Sequence, residues 1–422
     1  MKTSNRLMQY TLSAPSQIHA TVNLPASKSI SNRALTIHAL SGGNIAPQNL
    51  SNCDDTEVMI QAFHQMPDVI DIKAAGTAMR FLTAYLSVTD GEHTITGTER
   101  MKHRPIKVLV DALRYLGAEI QYLGEEGYPP LHIVGHHLEG GHIEVPGNIS
   151  SQFISALLMI GPVLTKGLEL KLTEDIVSRP YIDLTLWTMR EFGAEADWSD
   201  VDTITVQPTP YQQREYLIEN DWSAASYWYE ILALCNNRDS EIKLEGLMDG
   251  SKQGDSVVRY IFSLLGVKTT FETRTEGVPT TVTLTNHLMK LPRLEYDFVN
   301  SPDLTQTIVV CCTALGIPFH FKGLGSLKIK ETDRIEALKK ELKKLGYVLQ
   351  DKDDCELIWD GTRCEPSYAP IDTYEDHRMA MAFAPLAILY PGLVKINHPE
   401  VVTKSYPAFW DDLKSAGFHI KE

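Results

Sequence analysis

The feature that most constrains this 422-residue chain is a repeat. Six apolar segments of helical length recur along it: "SNRALTIHAL" from Ser31, "GTAMRFLTAYL" from Gly76, "SSQFISALLMIGPVL" from Ser150, "AASYWYEILALC" from Ala224, "DLTQTIVVCCTAL" from Asp303 and "HRMAMAFAPLAIL" from His377. Their starts are separated by 45, 74, 74, 79 and 74 residues (76 − 31, 150 − 76, 224 − 150, 303 − 224, 377 − 303). A helix that is apolar on nearly every face belongs in a core. A fixed spacing means that one supersecondary unit is used again and again.

Each apolar segment follows a strand-like stretch and a short polar loop: "TVNLPASK", "VIDIKAA", "HIEVPGN", "YLIEND", "LEYDFVNSP" and "IDTYED". Between them lie amphipathic segments that end in a hydrophobic–Gly pair, as in "VLVDALRYLGAEI", "LTLWTMREFGAEA" and "IEALKKELKKLGYVL". Glycine there is a helix C-cap, and β-rich sequence follows it. The unit reads as strand–helix–strand–helix–strand–strand. The first unit, with "DDTEVMIQAFHQM" as its second helix, has no glycine exit and arrives about 30 residues short, the length of a β-hairpin with its turns. The expected fold class is therefore α/β, with six βαβαββ-type units, the first shortened, closing as two three-unit domains.

No apolar run reaches the 18 residues of a membrane span, and "MKTSNRLMQYTLSAPSQ" lacks the apolar core of a leader peptide. The six cysteines show no metal-ligand spacing, and adjacent Cys311 and Cys312 read as packed core. A reducing, cytoplasmic setting is expected. The net charge of −15 argues against nucleic-acid binding. An acidic chain with anionic ligands must gather its cations locally.

The loops that open the helices do gather them: Lys28, Ser29 and Arg33; Thr77 and Arg80; Arg104; Ser150, Ser151 and Gln152; Lys330 and Arg334; Arg378; Lys404 with Ser405. Helix N-termini with such side chains suit phosphate and carboxylate. A single Lys or Arg at a helix start is otherwise a solvated surface residue. Arg80, inside an apolar segment, reads as a structural brace. His377 is open to a packed or a site role, and Trp222, Trp228 and Tyr229 read as core. Asp303 fits an N-cap and Glu331 a first-turn dipole partner; both also suit proton transfer beside cations. Phosphate-loop, zinc-protease and nucleophile-elbow motifs are absent.

In their order, "LPASKSISNRAL", "AGTAMR", "ERMKHRPI", "SSQFISALLM", "KETDR" and "DHRMAMAFA" resemble the 5-enolpyruvylshikimate-3-phosphate synthase family of enolpyruvyl transferases over nearly the whole chain. The resemblance implies a two-domain inside-out α/β barrel, with residues 25–220 as one domain and 1–24 with 221–422 as the other. It implies transfer of the enolpyruvyl group of phosphoenolpyruvate to the 5-hydroxyl of shikimate 3-phosphate, through a tetrahedral intermediate and domain closure. No cofactor or metal is expected, and the chain is expected to be a cytoplasmic monomer of the shikimate pathway, which makes chorismate and aromatic amino acids, and a glyphosate target.

The resemblance also implies roles. Lys28, Asp303 and Glu331 would be catalytic. Lys28, Ser29, Arg33, Ser150, Ser151, Gln152, Ser178, Asp303, Ser326 and Lys330 would bind shikimate 3-phosphate. Lys28, Gly76, Arg104, Gln152, Arg334, Arg378 and Lys404 would bind phosphoenolpyruvate. The chain departs from the family pattern at Ala26 (usually Gly), Ala74 (Asn), Phe81 (Pro), Ser326 (Asn) and Ser405 (Thr), changes that bear on the phosphoenolpyruvate loop and on glyphosate-like analogues. Alternatives are a UDP-N-acetylglucosamine enolpyruvyl transferase, whose reactive loop cysteine has no match here, and a non-catalytic anion-binding member.

Overall fold

The computed structural model describes residues 8–422 apart from Asn236, Glu276 and Leu288; residues 1–7, on which the leader-peptide reading partly rests, lie outside the described residues. Two compact units emerge. Ala26–Glu219 forms a contiguous unit, and Asn220–Glu422 with the stretch up to Pro25 forms a discontinuous one. Each has its own apolar core. Among the described residues no helix is long and apolar enough to cross a membrane.

Two kinds of helix alternate along the chain. The apolar kind are α1 (Lys28–Leu40), α3 (Gly76–Ser87), α5 (Ser151–Ile160), α7 (Trp222–Leu234), α9 (Thr305–Leu315) and α11 (His377–Phe383), and they carry the cores. The amphipathic kind are α2 (Asp54–Gln65), α4 (Lys107–Tyr115), α6 (Arg179–Glu191), α8 (Val258–Leu264), α10 (Arg334–Lys344) and α12 (Phe409–Ser415). Gly117, Gly193, Gly266, Gly346 and Gly417 follow the last five with φ between 82° and 105°, a region open to glycine at little cost. Trp222, Trp228 and Tyr229 are buried, and Cys311 and Cys312 are buried and unbridged.

The sheets repeat one pattern. The described chain opens with β1 (Gln9–Ser13) and β2 (His19–Asn23). In the second repeat β3 (Val69–Asp71), β4 (Gly91–Thr96), β5 (Glu119–Tyr122) and β6 (Leu131–Gly135) lie in the order β3-β4-β6-β5. The first pair is parallel and the other two antiparallel. The third repeat copies this with β7 (Gly141–Pro146), β8 (Leu168–Thr173), β9 (Ala196–Trp198) and β10 (Thr203–Val206).

The fourth repeat contributes β11 (Glu241–Leu247), β12 (Val267–Phe271) and β13 (Thr280–Asn286), and borrows β2 as its parallel first strand. The fifth is complete: β14 (Leu294–Asp297), β15 (Phe319–Lys322), β16 (Gln350–Lys352) and β17 (Glu356–Trp359). The sixth, β18 (Val394–Asn397) and β19 (His419–Lys421), takes β1 between its strands and has Ile371 bridged in parallel to Ile396.

The first repeat is the exception. Only Met66–Asp68 separates α2 from β3, so no terminal strands follow α2. Its sheet shrinks to one parallel bridge, Gln48 to Leu217. This revises the strand assignment read from sequence. "TVNLPASK" was expected to serve the first unit and "YLIEND" the fourth; their strands are exchanged. β2 pairs with β11, while Leu217 pairs with Gln48. The exchange falls where the chain passes from one unit to the other, at Pro25–Ala26 and Glu219–Asn220.

Candidate active site

In the contiguous unit, the side chains that touch show how the three apolar helices lie. Arg33 in α1 donates from Nη2 to Ser155 Oγ in α5 at 3.1 Å, and its guanidinium carbon lies 5.5 Å from the centre of the Phe81 ring in α3. Each of these residues is the fifth or sixth of its helix. Near the starts, Gln152 Nε2 of α5 donates to Thr77 Oγ1 of α3 at 3.4 Å. Residues of equal depth meet, so the helices run side by side with their first turns at a common end. Their N-caps are neutral: Ser27 accepts from Ile30 N, Ser150 accepts from Gln152 N, and Ala75 leaves α3 without a side-chain cap. An end built from helix N-termini without acidic caps favours anions.

Cations sit at that end. Lys28 opens α1, with Nζ 3.5 Å from Asp55 Oδ2. Arg33 is almost fully buried, and its partners are neutral: Thr185 Oγ1 (2.7 Å), Ser29 O (2.8 Å), Ser155 Oγ and Tyr181 O (3.2 Å). Burial lowers it to about 10. Phe81, where the family pattern has proline, therefore packs on this guanidinium. Arg104 makes no ion pair among the described residues, and it lies over Gly76. A Cβ there would stand 2.5 Å from Arg104 Nη1. Arg80 donates to Gly76 O at 2.8 Å and packs on Phe153, the bracing role read from sequence. Ser151 is nearly buried at the first turn of α5, and Ser178 occupies the N-cap position of α6 at φ 55°.

The discontinuous unit is built alike but charged differently. Arg378, second in α11, donates to Tyr227 Oη of α7 (3.4 Å) and to Asp303 Oδ2 just before α9 (2.8 Å). Asp303 lies in the short turn Pro302–Leu304 and does not cap α9. Its carboxylate is ringed by Arg378, Arg334 Nη1 at 3.1 Å and Lys330 Nζ at 3.6 Å. Glu331 bridges Arg334 (3.0 Å) and Lys404 (2.8 Å). Asp376 holds Arg334 Nε at 2.7 Å and caps α11 through Arg378 N. The cap of α10 is Asp333, so Glu331 stands outside the helix. His377 is packed beside Asp376.

Four cations (Lys330, Arg334, Arg378, Lys404) face three carboxylates (Asp303, Glu331, Asp376), a surplus of 4 − 3 = +1. Burial would raise the Asp303 carboxyl, but Arg378, Lys330 and Arg334 outweigh it and hold it well below the usual range. Burial lowers Lys330. Arg334 is also penalised by burial, yet Asp376, Glu331 and Asp303 raise it above its ordinary value. Asp255 receives a hydrogen bond from Ser223 Oγ; burial, then the charge of Asp303, push it up to about 7.

Of the residues singled out in the sequence, Asp303, Lys330, Glu331, Arg334, Arg378 and Lys404 form one linked cluster. Lys28 and Arg33 are each tied into their own unit, as are Gly76 with Arg104 and Gln152 with Thr77. No hydrogen bond or ion pair joins Ser326 to the cluster among the described residues. Sequence reasoning missed Asp55, Asp255 and Asp376. Asp376 was legible as the N-cap of "EDHRM"; Asp255 in "KQGDSV" and Asp55 in "CDDTEV" carry no local signal.

The chain matches the family model described as EPSP synthase (3-phosphoshikimate 1-carboxyvinyltransferase) over residues 12–69 and 65–413. The two matched stretches meet where the first repeat ends after α2. The chain is 61% identical to a 3-phosphoshikimate 1-carboxyvinyltransferase of Bacteroides fragilis over 98% of this chain and 99% of that one. It is 36% identical to the enzyme of that name in Photobacterium profundum over 96% and 97%. A solved EPSP synthase of Acinetobacter baumannii superposes with a TM-score of 0.77 over 98% of this chain and all of that one; at 21% identity this likeness speaks for the fold alone. The chain belongs to the EPSP synthase family.

Proposed function

We propose that the chain is a 3-phosphoshikimate 1-carboxyvinyltransferase, joining the enolpyruvyl group of phosphoenolpyruvate to the 5-hydroxyl of shikimate 3-phosphate with release of phosphate. Family membership carries the reaction. The observation that carries the roles is Asp303 ringed by Arg378, Arg334 and Lys330. The 5-hydroxyl oxygen adds to C2 of the donor as its proton passes to Asp303, while a second proton reaches C3 from Lys28 or Glu331. The product of this step is a tetrahedral ketal phosphate. Loss of a C3 proton and of phosphate restores the double bond. Arg334, Arg378 and Lys404, with Gly76, Arg104, Lys28 and Gln152, take the donor. Ser29, Arg33, Ser150, Ser151, Ser178, Ser326 and Lys330 take the acceptor. The setting is the cytoplasm and the working form a monomer.

The test is to supply phosphoenolpyruvate with either shikimate 3-phosphate or UDP-N-acetylglucosamine and follow free phosphate. Release with the first acceptor alone is expected. A folded protein that binds shikimate 3-phosphate and releases none would make the chain a non-catalytic member.

A second expectation concerns Gly76. A Cβ there would stand 2.5 Å from Arg104 Nη1 and 2.6 Å from Arg80 Nη1, so alanine displaces the Arg104 side chain and also disturbs the buried Arg80 brace. Displacing Arg104 weakens the donor contact. Gly76→Ala is expected to raise the KM for phosphoenolpyruvate by about tenfold, with a loss of stability of about 1–3 kcal/mol from the disturbed Arg80 brace. An unchanged KM would remove Gly76 and Arg104 from the donor site.

A further inference from the structure

Away from the cluster around Asp303, the discontinuous unit carries a cavity of about 350 Å³, lined by α8 and by the edge strand β12. Its residues take no part in the reaction described above. Arg259 is pinned within it. Nη1 donates to Asp249 Oδ1 at 2.7 Å and Nη2 to Tyr260 Oη at 2.8 Å. The guanidinium packs on the Tyr260 and Phe271 rings, 4.7 and 5.2 Å from their centres. A guanidinium fixed by two hydrogen bonds and two rings loses little freedom when it meets a ligand.

Two further cations face the same space, Lys268 from β12 and Arg274 from the turn after it. Neither makes an ion pair among the described residues. His287 is turned to the backbone instead: Nδ1 lies 3.3 Å from Met289 N and Nε2 3.0 Å from Ser263 O. Three cations against Asp249 leave a surplus of 3 − 1 = +2 in a chain whose net charge is −15. Local positive charge on an acidic protein draws anions to one place. The volume accommodates a small metabolite and not a polymer.

The geometry points to a second anion site here, one that takes a phosphate monoester of metabolite size. Its dianion matches the +2 surplus, and phosphate oxygens accept from Lys268 and Arg274 together. Ser263 lines the same space, and its hydroxyl suits the polar body of such an ester, while Thr269 Oγ1 is engaged with Tyr229 Oη at 2.9 Å.

Glycerol 3-phosphate is the probe, titrated by calorimetry into the full chain saturated with shikimate 3-phosphate. The wild type is expected to bind it saturably. The exposed pair Lys268→Gln with Arg274→Gln is expected to bind at least about tenfold more weakly. Melting temperature, kcat and both substrate KM values should be unchanged in the variant, because neither residue touches the reaction. Equal affinity in the two proteins, no saturable binding to the wild type, or a shifted substrate KM in the variant would each overturn the site.

Discussion

Replacing Asp303 by Ala is expected to lower turnover at least about a hundredfold, the scale of a lost general base, while shikimate 3-phosphate still binds. The same change frees Arg378, Arg334 and Lys330 from the carboxylate they share. The donor then finds these cations unopposed, so the KM for phosphoenolpyruvate should stay level or fall as kcat drops. That split separates a lost base from a damaged fold. Near-normal turnover would refute the role.

Asp303 is also a weak base at rest, because its cationic ring holds its carboxyl well below the usual range. An anion bound at Arg378 and Arg334 brings negative charge beside it and raises its pKa. The base thus gains strength as the donor arrives. The sign can be measured. A carboxylate with a depressed pKa is ionised throughout the ordinary range and is lost only in acid, so the acidic limb of kcat/KM should lie low. The acidic limb of kcat, set in the loaded enzyme, should lie higher.

Replacing Glu230 by Met is expected to stabilise the discontinuous unit, and more so as pH rises. Glu230 lies in α7, wholly buried, and neither carboxylate oxygen has a hydrogen-bond partner among the described residues. Burial pushes its carboxyl well above the ordinary 4.5. The folded state therefore keeps the proton that the unfolded chain gives up. The stability linked to that proton is whole below about pH 4.5. It then falls by about 1.4 kcal/mol per pH unit until the folded group ionises. Methionine has similar length and nothing to ionise. Its advantage in melting temperature should be small at pH 5 and at least about 4 °C at pH 8. Glu230→Gln should gain less, because a buried amide still lacks partners. A gap that stays constant or narrows with pH would contradict this account.

Much of the architecture was legible because repetition multiplies weak signals. One Gly-ended amphipathic helix is a modest cue, but five at matching places define a unit, and the missing sixth marked the shortened first repeat. The strand exchange was not legible. "TVNLPASK" and "YLIEND" have the same pattern, and local pattern holds no information about which sheet a strand joins. The site divides in the same way. Lys28, Gly76, Ser150 and Arg378 could be found because helix starts have a sequence signature. Asp255 could not, since its importance comes from burial next to Asp303, residues far apart in the chain. The N-cap reading of Asp303 failed for a similar reason: three cations from other segments outbid the backbone N–H groups for its carboxylate.

The borrowing of β1 and β2 by the last and fourth repeats sets an order of assembly. Gln9 bonds to Asn397, 388 residues away, and Ile18 to Ser240, 222 residues away. The contiguous unit is whole once Glu219 has left the ribosome, whereas β2 waits for β11 and β1 waits for β18 and β19. Closing so long a loop is slow but costs little more free energy than closing a short one. β1 is therefore among the last strands to find its place, and a nascent chain carries it unpaired until β18 has emerged.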